Sequence, residues 1–123
     1  MRVFYRVVRS NPPTLVDLTS NRALGRVLRD PNPERQRLWD GISVSATEAQ
    51  ARNRAIDYPA MGRWIARLEI PDGAPISAER TLPNSRGHHT LWGEPAELLR
   101  CVADVVPVEA VEAPGRSGPP AVG

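Results

Sequence analysis

Thirteen prolines and nine glycines, spread along 123 residues, limit what this chain can build. Each proline fixes φ and removes a backbone donor, so long helices are cut short and connections become tight turns. The expectation is a single domain of many short elements rather than a helical bundle. With 41% hydrophobic residues the chain has enough apolar side chains for a small core. No apolar run approaches the ~20 residues of a membrane span. The N-terminus, MRVFYRVVRS, does not read as a leader, because Arg6 and Arg9 interrupt its apolar residues. A lone Cys101 cannot close an internal disulfide, so a reducing, cytoplasmic setting is expected.

All 16 basic residues are arginine. Residues 1–67 carry 12 of them against 6 acids, and residues 68–123 carry 4 against 8. Arginine favours planar, bidentate contacts with phosphate and carboxylate. A basic half of this kind can draw in a phosphate-bearing ligand or a nucleic acid, unless the fold interleaves the two halves.

Residues 2–9, RVFYRVVR, read as a strand with Val3, Tyr5 and Val7 on one face. The other face carries Phe4, Arg6 and Val8, and Arg6 is the misfit there. PTLVDLTSNRALG is either a short helix or an ordered loop. In DPNPERQRLWDG, Asn32 is a helix N-cap, Pro33 the first helical residue and Gly41 the stop. Ile42 and Val44 alternate with Ser43 and Ser45 as in a half-buried strand. A helix follows, capped through Ser45 and Glu48 or Thr47 and Gln50, and it ends at Pro59. Its apolar side is expected at Ala49, Ala55 and Ile56, with Arg52 and Asn53 turned away. RWIARLEI is a strand whose Trp64, Ala66, Leu68 and Ile70 make an apolar face. ISAERT reads as an edge strand and HHTLW as another strand. PAELLRC is a short helix, and VADVVPV a buried final strand.

This order gives an α+β domain over residues 1–108. Its sheet is mixed, mostly antiparallel and open to a split, with two to three short helices. Residues 109–123 are polar, rich in Gly and Pro, and read as a disordered tail.

The only two histidines are adjacent. On a strand they point to opposite faces, so they do different jobs. His89 shares a face with Leu91 and is expected to pack; His88 shares one with Thr90 and Trp92 and is expected to face a cleft. No Cys/His spacing fits a zinc site, so no metal is expected. Cys101 among Leu98, Leu99 and Val102 reads as an inert thiol. No glycine-rich phosphate loop occurs. What remains is Arg6 in the first strand, Ser43 and Ser45 in the second, and the histidines in a later one. Each has a plain structural alternative: Arg6 paired with Glu69 or Glu79, Ser45 as a helix cap, a histidine as a half-buried ring.

As a set, these segments resemble the small ADP-ribosyltransferase-like fold. FYRVV looks like that family's first motif strand, GISVSATEAQARNRA like its serine strand and following helix, and RWIARLEIPDG like its next core strand. HHTLWGEPAELLRCVADVVPV is similar to its closing hairpin. The resemblance spans roughly residues 2–108, in the pattern of elements and residue classes. It implies a split sheet gripping NAD in a cleft. It implies Arg6, Ser45, Tyr5 and Trp92 as cofactor contacts, with Ser43 and His88 as the catalytic groups. The glutamate usual in the third motif has no counterpart at His88; the nearest acids are Glu79 and Glu94. One branch, the tRNA 2′-phosphotransferases, works without that glutamate. Two other readings are a non-enzymatic module with a protein partner and a weak, arginine-mediated nucleic-acid binder. Few aromatics are available for base stacking, which disfavours the last.

Overall fold

The computed structural model describes residues 1–82 and 86–109. The expected tail lies outside the described residues, apart from Glu109.

Among the described residues six strands make one sheet: β1 (Arg2–Val8), β2 (Ile42–Ser45), β3 (Trp64–Ile70), β4 (Ser77–Arg80), β5 (His88–Trp92) and β6 (Val102–Pro107). Their order across the sheet is β4-β5-β2-β1-β3-β6. The α+β class expected from the sequence is what forms. Every ladder is antiparallel, so the mostly antiparallel sheet is here the pure case. Among the described residues three helices accompany it: α1 (Pro33–Trp39), α2 (Glu48–Asp57) and α3 (Pro95–Arg100). Single 3₁₀ turns lie at Leu15–Leu18 and Pro59–Met61. Among the described residues no helix is long and apolar enough to cross a membrane.

Capping chemistry sets the helix starts. The Asn32 side chain accepts from the backbone N–H of Glu34 and Arg35, at 2.9 and 3.2 Å, and Pro33 follows where its missing donor costs nothing. For α2 the cap is Thr47, whose hydroxyl accepts from Gln50 N–H at 3.1 Å. Ser45 is instead a buried strand residue, so β2 is covered on both faces rather than half-buried.

Both faces of the sheet carry a core. Phe4, Ile42, Val44, Leu68, Ile70 and Leu91 form one with Leu18 of the first 3₁₀ turn and Leu98 of α3. On the opposite face Val7 and Ile65 meet Ala51 and Ala55 of α2, together with Val108. The buried stripe of α2 is therefore Ala51/Ala55, not Ala49, Ala55 and Ile56; Ala49 is exposed and Ile56 is 57% exposed. Two small residues at i and i+4 let the helix approach the sheet closely, which an isoleucine there would prevent. Arg52 does not turn away either. It donates to the carbonyl of Val108 at 2.8 Å and pairs with Glu48, fastening α2 to the end of the chain's last strand. That strand, β6, is at the sheet's edge with exposed Ala103 and Asp104, not buried; among the described residues only β3 pairs with it.

The link from α2 into β3 passes Gly62, at φ +147°, where a side chain would meet the carbonyl of Val8. A Gly62→Ala protein is expected to lose about 1–3 kcal/mol of stability. Urea unfolding of the two proteins side by side checks this; an unchanged midpoint would refute the close approach.

Candidate functional site

β1 pairs with β3 along all its residues, from Arg2↔Ile70 to Val8↔Trp64. With β2 it pairs only at Tyr5↔Ser45. The sheet is thus open between the second half of β1 and the first half of β2. Two strands that part leave backbone carbonyls without ladder donors, and such groups are costly when buried. Arg6 resolves this. Its NH1 donates to the carbonyl of Ser43 on β2 at 2.7 Å, and its Nε donates to the carbonyl of Asp17 at 2.7 Å. The guanidinium fills the split as a side-chain substitute for the missing ladder. Neither Glu69 nor Glu79 is its partner; those acids pair with Arg67 and Arg37.

Asp17 anchors the other side. Its carboxylate accepts from Arg9 N–H (2.9 Å), Ser10 Oγ (2.6 Å) and Thr14 N–H (3.0 Å). Burial opposes its ionisation, but those hydrogen bonds and the Arg6 charge outweigh it and hold its pKa below the ordinary value of 3.8. Burial brings the Arg6 guanidinium down to about 10, with Asp17 opposing the fall and Arg54 adding to it. Arg6 therefore stays charged at neutral pH.

A cavity of about 630 Å³ opens at the split. Ser43, His88 and Thr90 contribute from β2 and β5, Leu38 and Trp39 from α1, and Arg54 from α2; the 10–31 segment supplies much of the rest. Among the described residues five arginines line it (Arg6, Arg9, Arg26, Arg35 and Arg54) against one acid, Asp17, whose oxygens are already engaged. Apolar contributions come from Val16, Leu24, Leu28, Leu38, Trp39 and Met61.

His88 is 2% exposed. Its Nδ1 lies 2.9 Å from Thr81 Oγ1, which lies 2.7 Å from Thr90 Oγ1. Its Nε2 is buried and has no hydrogen-bond partner among the described residues. Burial, then the Arg54 charge, pushes the imidazole below the usual histidine value against the Thr81 hydrogen bond, so the ring is neutral at pH 7. His89 takes the other face, as strand alternation requires, with its ring 5.0 Å from that of Phe4.

The structure therefore brings Arg6, Ser43 and His88 to one cavity and places the other three candidates elsewhere. Ser45 is buried in register with His88 and does not line the cavity. Tyr5 packs with the α2-side core. Trp92 donates to the carbonyl of Arg37 at 3.1 Å and lies under that residue's guanidinium, 4.8 Å from the ring centroid. Sequence reasoning missed Asp17, Trp39 and Arg54. Asp17 had one signal, as the only acid in residues 1–29. Cys101 is half-buried, and burial and Glu97 raise its thiol pKa, which makes it a poor nucleophile. Comparison with protein-family models, with curated proteins and with solved structures returns no match.

Arg6→Met is expected to cost about 2–4 kcal/mol, because it leaves the Ser43 and Asp17 carbonyls unpaired. Urea unfolding at pH 7 measures this, and a loss under half that range would mean the split is held by something else. Asp17→Asn is expected to cost about 1–3 kcal/mol at pH 7. Folded Asp17 releases its proton more readily than the unfolded chain does. Its contribution is full above the ordinary value of 3.8 and is lost as pH falls through the lower folded value. The stability gap between wild type and variant should therefore close in acid; a gap constant down to pH ~2 would contradict the assignment.

Proposed function

We propose that this cavity binds NAD and serves glycosyl transfer from it, as ADP-ribosyl transfer or NAD hydrolysis. One observation supports the reading above the rest: Arg6, Ser43 and His88, from three strands distant in sequence, line the same cavity. Its volume falls within the ~300–1,000 Å³ of small-molecule sites. An arginine lining almost free of acids suits a diphosphate, and the apolar wall around Leu38 and Trp39 suits a flat ring.

The chemistry asks little more. The bond between nicotinamide and ribose breaks with its electron pair going to the departing nicotinamide, which leaves neutral. Water or an acceptor hydroxyl adds to the sugar carbon and gives up a proton. In this reading His88 takes that proton, supported by its neutrality at pH 7 and by an Nε2 without a partner among the described residues. The Ser43 hydroxyl makes no hydrogen bond among the described residues and is available to a ribose hydroxyl. Arg6 shapes the cleft through its carbonyl contacts.

A second reading, a non-enzymatic protein-interaction module, draws on the cavity rim. Val16 and Tyr58 are 61% and 63% exposed there, beside partly exposed Leu24 and Leu82. Exposed apolar groups clustered around a mouth are what a protein partner covers.

Calorimetric titration with NAD separates the two. Saturable binding, with nicotinamide release that His88→Gln abolishes, is the expected result. An absence of heat at millimolar NAD would overturn the NAD reading and leave the rim as the functional surface.

A further inference from the structure

The cavity has more cationic side chains than the fold uses, and they are not equivalent. Arg6 has two of its three nitrogens bound to backbone carbonyls, at 2.7 Å each. Arg35 pairs with Asp30, and Arg26 donates to Asn21 Oδ1 at 2.7 Å. Arg54 differs. It is half-buried in the cavity wall, and its side chain has neither a salt bridge nor a hydrogen bond among the described residues. No structural task accounts for it.

Its placement is central. Arg54 lines the same cavity as Arg6 and His88, and its charge lowers the pKa of both. Three groups thus share the cavity: a committed guanidinium, an uncommitted one, and a buried imidazole with an unsatisfied nitrogen. Arg6 and Arg54 repel one another across the empty site, and the one acid there, Asp17, sits beside Arg6 with both carboxylate oxygens already bound, which leaves Arg54 without a counter-charge among the described residues. An anion placed there removes that repulsion and supplies the missing acceptor for Arg54.

We propose that Arg54 is the residue that holds the ligand's anionic group, a phosphate or diphosphate, in the region of the cavity next to Arg6 and His88. Arg6 is then a structural cation, and α2 contributes a binding residue as well as a packing face. The proposal rests on the reading of the cavity as a nucleotide site, but the anion alone tests it. It also couples binding to His88. The groups around that ring are Arg54 from α2, His89 on its own strand, and the Thr81 and Thr90 hydroxyls. Burial is the larger cause of the lowered His88 pKa and the Arg54 charge the second; an anion on Arg54 removes the second, so the ring becomes more basic when the site fills.

The experiment titrates inorganic pyrophosphate and, separately, NAD into the wild type, Arg54→Gln, Arg54→Lys and, as a control, Arg63→Gln. Arg63 is exposed and lies outside the cavity. Both probes are expected to bind the wild type and Arg63→Gln alike. Arg54→Gln should weaken each by about 10- to 100-fold, and Arg54→Lys should lose less. The His88 ring, followed by NMR across pH, should titrate higher with pyrophosphate bound in the wild type and stay put in Arg54→Gln. Equal affinity of Arg54→Gln and wild type for both probes would overturn the proposal while leaving NAD binding intact. Arg54-dependent pyrophosphate binding without NAD binding would uphold it and remove the NAD reading. Binding of neither probe to the wild type would remove both.

Discussion

The fold turns on one guanidinium set between two strands that have come apart. A sheet that opened between β1 and β2 without help would bury carbonyls with nothing to bond. Closing it would erase the cavity. Arg6 permits the open form by carrying its donors on a long side chain across a gap that the backbone no longer spans. Burying the charge is costly, and proximity to Asp17 with two short hydrogen bonds offsets it. Asp17 in turn ties the turn after β1 to the strand's end, so the 9–18 segment is held by the same hub. Fold and cavity are therefore two results of a single side-chain position.

The distribution of charge supports this division of labour. Ion pairs elsewhere, such as Arg37 with Glu34 and Glu79, sit at the surface, where water screens them and each is worth little. The arginines around the cavity are left with few acids to balance them. Arg6 repays its cost by bridging the split, whereas half-buried Arg54 has no salt bridge or hydrogen bond among the described residues to offset its own.

Much of this was written in the sequence as local chemistry. Asn32-Pro33 specified the start of α1, and alternation assigned the two histidines to opposite faces. Arg6 stood out as the one charged residue on an apolar strand face. What the sequence could not specify depended on contacts between distant elements. The side of α2 that meets the sheet follows from how closely two backbones approach, and alanines at 49, 51 and 55 read alike until that is known. β6 looked buried because its valines are apolar, but position in the sheet order decides burial. Arg54 had no signal at all, since its importance lies in what is near it after folding. Asp17 sat in a stretch that pattern alone left undecided between helix and loop.

The hydroxyls behind His88 carry one more consequence. Thr81 has a single proton and two close neighbours, the imidazole Nδ1 and Thr90 Oγ1. When the proton sequence runs from Thr90 through Thr81 to the ring, the imidazole keeps its own proton on Nε2. When it runs outward from the ring, Nε2 presents a lone pair. The two tautomers differ in the positions of three protons and in no heavy atom. The buried nitrogen can thus meet a carbonyl or phosphoryl oxygen as a donor and a hydroxyl as an acceptor.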